Sequence, residues 1–156
     1  MKYVFDSNTL IVIFNHYYPK RFLSFWEKFH ALVSSGKLIS VREVFNEIGS
    51  SKDSLGRWAK EHKNMLFLES TNEELKFVGE IFQVQHFQAM IRKQERLKGK
   101  PVADPFVIAR AKISDACVVT QEKNTENAAK IPNVCDHFGI RCINLEGFME
   151  EENWTF

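Results

Sequence analysis

The sequence predicts an α/β layered domain with a mostly parallel sheet. Two observations carry this. Short apolar runs alternate along the chain with segments of helical periodicity, the pattern of strand–helix–strand units. The clearest run, Ala116-Cys117-Val118-Val119-Thr120, is apolar almost throughout, as expected of a central strand covered on both faces of a parallel sheet. The chain has 156 residues, 44% hydrophobic and 26% charged, enough to bury the core of a single domain spanning residues 1–156 without covalent staples.

Taken in order, Tyr3-Val4-Phe5 reads as a buried strand that ends abruptly at Asp6-Ser7-Asn8, a turn or helix start. Phe22, Phe25, Trp26, Phe29, Leu32 and Val33 then recur at helical spacing until Gly36, a residue suited to the position just past a helix. Lys37-Leu38-Ile39 is a minimal second strand. Ser40-Val41-Arg42-Glu43 has the S-x-x-E pattern of a capping box, so a helix is expected from Ser40 with Val44, Phe45 and Ile48 inward. Leu55, Trp58 and Ala59 mark another helical stretch, and Met65-Leu66-Phe67-Leu68 a strand or extended connection. A long amphipathic helix is expected from Asn72 to about Leu97, with Leu75, Val78, Ile81 and Phe82 on its apolar side, broken by Gly99 and Pro101. Asp104-Pro105 starts the next helix, with Asp at the N-cap and Pro at the first helical position. After the central strand, Ile131-Pro132 opens a last helix ending at Gly139, and Cys142-Ile143-Asn144-Leu145 is the final strand.

Composition excludes several classes. A net charge of +1 leaves no global field for nucleic acid or membrane, so any such contact needs a local patch. No apolar stretch approaches the ~20 residues of a membrane-spanning helix, and Met1-Lys2-Tyr3-Val4-Phe5-Asp6 does not read as a signal peptide. Three widely spaced cysteines (Cys117, Cys135, Cys142) fit free thiols in a reducing, cytoplasmic setting.

In a parallel α/β sheet, ligands bind beyond the carboxyl ends of the strands. Asp6 follows the first strand and Glu122 the central one. Asp104 stands at a helix start on the same edge, and Glu47 leans toward that edge from its own helix. Four crowded carboxylates repel one another unless a cation is present, and oxygen donors suit Mg²⁺ or Mn²⁺. Each acid also has a plainer role: Asp6 as a turn cap, Asp104 as an N-cap, Glu122 as a solvated loop residue. Glu43 and Glu47 compete for the helical position, and the capping box accounts for Glu43 while leaving Glu47 without a local task.

These residues resemble the motifs of PIN-domain ribonucleases. Asp6-Ser7-Asn8-Thr9-Leu10 after a short strand is similar to their opening motif. Val44-Phe45-Asn46-Glu47-Ile48 is similar to their helical Glu, and Ala103-Asp104-Pro105 with Ile108-Ala109 to their mid-chain Asp. Val118-Val119-Thr120-Gln121-Glu122 resembles their strand-Thr-x-acid motif, with Glu where Asp is commoner. Order and spacing agree over nearly the whole chain. Tyr18-Pro19 with Phe25-Trp26, and Ile131-Pro132-Asn133-Val134-Cys135, resemble a prokaryotic toxin-like subgroup.

The resemblance implies a three-layer α/β/α PIN-like domain and an Mg²⁺- or Mn²⁺-dependent endoribonuclease that cleaves RNA phosphodiesters with metal-activated water. It implies metal ligation by Asp6, Glu47, Asp104 and Glu122, directly or through water, with Asn8 and Thr120 in support. It further implies the toxin of a type II toxin–antitoxin pair, neutralised by an antitoxin protein, with homodimerisation common and no membrane partner. A PIN nuclease in RNA processing or acting on DNA, and a catalytically inactive PIN-like binding module, are the alternatives.

Just before Asp104, residues 91–100 carry five bases, Arg92, Lys93, Arg96, Lys98 and Lys100, against one acid. The run is either a solvated helix end or a phosphate track for RNA. Cys135, His137 and Cys142 do not match the spacing of a structural zinc site and lack a fourth ligand. Phe25, Trp26 and Phe29 are expected in the core. Trp154 and Phe156 are either a partner contact or a frayed end.

Overall fold

Five strands, every pairing parallel, form one sheet in the order β3-β2-β1-β4-β5. The computed structural model describes residues 1–90 and 102–156. The strands are β1 (Tyr3–Phe5), β2 (Leu38–Val41), β3 (Phe67–Leu68), β4 (Cys117–Val119) and β5 (Cys142–Ile143). The helices before β3 are α1 (Ser7–His16), α2 (Leu23–Ser34), α3 (Arg42–Ile48), α4 (Ser54–Glu61) and α5 (Lys63–Leu66). After it come α6 (Asn72–Gln83), a 3₁₀ turn (Gln85–Gln88), α7 (Asp104–Ser114), α8 (Ile131–Phe138) and α9 (Leu145–Glu151). Helices cover both faces, giving the three-layer α/β/α arrangement consistent with a PIN-like architecture.

The pleat explains how the faces are filled. Tyr3 and Phe5 project to one side, where both meet the edge of Phe148 from α9, at centroid distances of 4.8 and 5.0 Å, and Phe5 also meets Phe29 of α2. Val4 faces the other side, where α7 packs on β1, β2 and β4 and against α6. Phe25, Trp26 and Phe29 are buried as expected. Trp154 joins them, edge-on to Phe25 and Phe148, so it is core, whereas Phe156 is exposed.

The end of α2 shows local chemistry acting as read. Gly36 takes φ +76°, its N–H donates to Val33 O, and Lys37 N–H donates to Leu32 O, the paired bonds of a Schellman ending.

Five sequence expectations are corrected. The long helix from Asn72 ends at Gln83 instead of near Leu97; Val84 is extended, and the 3₁₀ turn follows. A continued helix would turn Gln85 inward after Phe77, Val78 and Ile81, and breaking the helix buries Phe87 instead. Leu75 is exposed, outside that apolar side. Ser40 opens no capping box: it lies in β2, its hydroxyl donates to Phe5 O at 2.7 Å, and Val41 is the N-cap of α3. A buried hydroxyl must find an acceptor, and the neighbouring strand supplies one before the helix does. Asp104 is the first helical residue rather than the N-cap, which is Ala103. The final strand is likewise shorter than read: Asn144 caps α9, a helix without a sequence-level expectation, by accepting from Gly147 N–H.

Among the described residues, no helix is long and apolar enough to cross a membrane.

Candidate active site

The strand order reverses between β1 and β4. β1 connects outward through β2 to β3, while β4 connects to β5 on the other side. At such a switch point, the chains leaving the two strands diverge and open a crevice at the carboxyl edge. Asp6 and Thr120, the residues that follow β1 and β4, face each other across it.

Asp6 is the N-cap of α1. Its Oδ1 accepts from the Thr9 backbone N–H at 2.8 Å and from Thr9 Oγ1 at 2.6 Å, and its Oδ2 accepts from Thr120 Oγ1 at 2.5 Å. Asp6 N–H donates to Val119 O, and Thr9 Oγ1 lies 3.1 Å from the same carbonyl, so the first turn of α1 is held against the end of β4. The carboxylate is 3% exposed, and its hydrogen-bond donors among the described residues are neutral. Burial pushes its pKa above the ordinary value; the Thr120 and Thr9 hydrogen bonds pull it down, and the charge of Glu122 raises it again.

Thr120 links the second carboxylate. Its Oγ1 accepts from Glu122 N–H at 3.1 Å while donating to Asp6. Glu122 Oε2 in turn accepts from Ile131 N–H at 3.0 Å, which holds it at the N-terminus of α8. Glu122 and Thr120 also border a cleft of about 320 Å³ between α8 and the end of β5, with Pro132, Ile140, Cys142 and Asn144 in its wall.

Glu47 reaches the site from α3. Its Oε2 accepts from Ser7 Oγ at 2.5 Å, next to Asp6, and its Oε1 accepts from Ala103 N–H at 2.9 Å, next to Asp104. One exposed side chain thus joins the start of α1 to the start of α7. Glu43 points elsewhere. It is half-buried near Ser70, Glu74 and Arg110, and burial raises its pKa, so it is separate from this edge despite the failed capping box. Asn8 is exposed and makes no hydrogen bond to the carboxylates among the described residues. Ser7 and Thr9 are the side chains of that turn that do. The role of Ser7 escaped sequence reasoning, although Asp6-x-x-Thr9 after a strand carried the signal for the turn that positions it. Arg92, Lys93, Arg96, Lys98 and Lys100 lie outside the described residues.

A family profile described as a domain of unknown function, DUF4411, matches residues 3–156. The chain belongs to the DUF4411 family. No curated protein matches the sequence. Among solved structures, this DUF4411 chain is similar to VapBC2 from Rickettsia felis bound to a DNA fragment from their promoter. The TM-score is 0.51 and the identity 15%, over 92% of this chain and 98% of that one. At that identity the likeness is one of fold.

The all-oxygen donor set of the DUF4411 site is the kind that hard divalent ions take. Among the described residues, no three His, Cys, Asp or Glu side chains come close enough together to hold an ion by themselves.

Proposed function

We propose that this protein is a divalent-metal-dependent endoribonuclease of the PIN kind. The observation that carries the reading is the buried Asp6 carboxylate at the sheet's switch point, surrounded by neutral donors and within reach of the Glu122 charge. A buried carboxylate without a cationic partner is costly, and a cation at the crevice relieves that cost.

Asp6, Glu47, Asp104 and Glu122 are the residues that would hold Mg²⁺ or Mn²⁺, directly or through water. When bound, the ion supplies a Lewis acid at the phosphate and a water activated for attack. The chain does the positioning. Thr9 and Thr120 fix both oxygens of Asp6, Ser7 and the Ala103 N–H fix Glu47, and the N-terminus of α8 fixes Glu122. No side-chain nucleophile is needed. The basic run Arg92, Lys93, Arg96, Lys98 and Lys100 serves as the phosphate track. Replacing Arg92, Lys93 and Arg96 by Gln weakens RNA binding and flattens its salt dependence, and an unchanged salt slope removes the track.

The toxin reading, with an antitoxin protein covering the acidic crevice in the cytoplasm, is supported by the fold shared with VapBC2, which was solved on DNA from their promoter. The deciding experiment is cleavage of a labelled RNA with Mn²⁺, with EDTA, and with Asp6→Asn. Cleavage that needs the metal and Asp6 supports the nuclease. RNA binding without cleavage in every arm leaves a binding module.

A further inference from the structure

The cleft of about 320 Å³ between α8 and the end of β5 adjoins Glu122. Its volume is at the small end of small-molecule pockets, room for one flat ring system and its waters. Pro132, Ile140 and Ile143 supply aliphatic walls on which the face of such a ring can rest. Asp136, on the exposed side of α8, and the exposed Asn124 and Asn144 supply polar groups. No Lys or Arg lines the cleft among the described residues, and its two acids, Asp136 and Glu122, repel an anion. A phosphate is therefore a poor occupant, and an uncharged ring bearing N–H donors is a good one.

Hydrogen bonds within the protein settle what these polar groups have left to offer. Asn144 Oδ1 accepts from Gly147 N–H at 2.8 Å, which leaves the amide N–H groups of Asn144 for a ligand. Asn133 Oδ1 accepts from Lys130 N–H, so the Asn133 amide donates to Thr125 O at 2.8 Å and to Asn124 Oδ1 at 3.0 Å. The oxygen of Asn124 is thereby occupied as well, and its N–H groups remain. Asp136 offers acceptors only, two oxygens side by side. The cleft thus combines one bidentate acceptor and two amide donors with an apolar slot.

Among the common nucleobases, guanine alone carries two adjacent donors on its Watson–Crick edge, N1–H and the 2-amino group. Both fit one carboxylate as a bidentate pair, and guanine O6 and N7 accept from N–H donors. Adenine and cytosine set a ring-nitrogen lone pair beside their amino group, and uracil flanks N3–H with two carbonyls. Each of these aims a lone pair at Asp136. We propose that the cleft is a guanine-binding site, in which Asp136 reads N1–H and the 2-amino group while Asn124 and Asn144 donate to the acceptor atoms. Single-stranded RNA is read through bases splayed out of the strand, and the cleft shares Thr120 and Glu122 with the candidate active site. On the nuclease reading, on which this last placement rests, the guanine lies beside the cleaved phosphodiester and selects the cut.

The test uses the full chain and uncharged nucleosides, which need neither metal nor cleavage. Guanosine is titrated to millimolar concentration while backbone amide shifts are followed by NMR. Shifts are expected at Asn124, Asp136 and Asn144, and adenosine, cytidine and uridine bind about tenfold more weakly. Inosine, which lacks the 2-amino group, binds several-fold more weakly than guanosine. Asp136→Asn lowers guanosine affinity about tenfold, and its spectrum verifies that this surface variant is folded. Shifts elsewhere, no shifts, or equal binding of all four nucleosides overturns the guanine site. A second arm follows cleavage of a labelled RNA with one guanine in an otherwise guanine-free strand, moved along the strand or replaced by inosine. Cuts that follow the guanine support its place in the substrate, and cuts that ignore it overturn that placement. If no RNA is cleaved, the nuclease reading fails and the placement with it, and the nucleoside titration still decides the guanine site.

Discussion

Asp6 and Glu74 are the two buried carboxylates among the described residues, at 3% and 1% exposure, and the fold treats them in opposite ways. Glu74 sits in the first turn of α6, where its N–H is capped by Thr71 Oγ1. Its Oε1 pairs with Arg110 of α7 at 3.2 Å, and Arg110 also donates to Glu69 O at 2.6 Å. The charge is neutralised inside the protein, and the pair clamps α6 to α7. Among the described residues, Asp6 has hydroxyl and amide donors only and a second acid nearby. A matched buried charge does structural work. On the proposed function, an unmatched one at the mouth of a crevice is a place for a cation. The same residue class thus separates into scaffold and site by partner alone, and Glu43, lying near Glu74 and Arg110, falls with the scaffold.

The comparison is broken or sharpened first by activity. Asp6→Asn keeps a good N-cap residue but removes the charge, and RNA cleavage falls by about 10³ or more, the scale of losing an essential electrostatic group. Glu47→Gln falls by orders of magnitude as well, because Gln preserves shape but not charge. Retained cleavage in Asp6→Asn, measured with labelled RNA and Mn²⁺, would end the distinction between the two carboxylates.

The next effect is on stability, at the other cluster. Arg110→Ala strands Glu74 as a buried charge and costs about 3–5 kcal/mol, read from urea unfolding midpoints. The double change Arg110→Met with Glu74→Gln recovers most of that loss, since it removes both charges. A cost below 1 kcal/mol for the single change would show that Glu74 is not held by Arg110.

Smaller shifts follow at Asp6. Saturating Mn²⁺ at 100 times its Kd adds about 2.7 kcal/mol to the wild type, seen as a rise in Tm that Asp6→Asn largely loses. Without metal, the pH dependence has a fixed sign. A carboxyl whose folded pKa is raised binds more protons folded than unfolded between the two values, so its contribution is fully present below the ordinary carboxylate value of 3.8 and is lost as pH rises through the folded value. Asp6→Asn therefore melts higher than the metal-free wild type at neutral pH, and its advantage shrinks toward pH 4. A difference that widens on acidification refutes the unmatched charge.

The smallest expected effect is Glu43→Gln. Its contact with Ser70 is long, at 3.5 Å, and Gln relieves repulsion from Glu74, so stability changes by about 0.5 kcal/mol or less and cleavage per folded molecule persists. Loss of cleavage would move Glu43 into the site.

Much of this was legible in the chain, for reasons that differ by residue. Tyr3-Val4-Phe5 before Asp6 announced β1 because a short apolar run and an abrupt polar stop are both local. Gly36 announced the end of α2 because a positive φ is a property of one residue. The run around Val118 announced the central strand because burial on both faces forbids alternation. Asp6, Glu122 and Glu47 could be assigned to one edge because parallel topology puts every strand end on the same side.

Tertiary structure alone decided the rest. Ser40-x-x-Glu43 has the letters of a capping box, yet the Ser40 hydroxyl found Phe5 O across the sheet, and a pattern within one segment cannot see an acceptor on another strand. Thr71-x-x-Glu74 has the same letters and does cap its helix, while its Glu turns inward to Arg110. The bridge from Ser7 through Glu47 to Ala103 joins two helix starts to the last turn of a third helix, across 96 positions of the chain (103 − 7). By itself, the sequence determined most of the segments that become strands and helices, because propensity and periodicity act over a few residues. Only the packed structure decided which polar groups meet, because a hydrogen bond is settled by the nearest available partner in space.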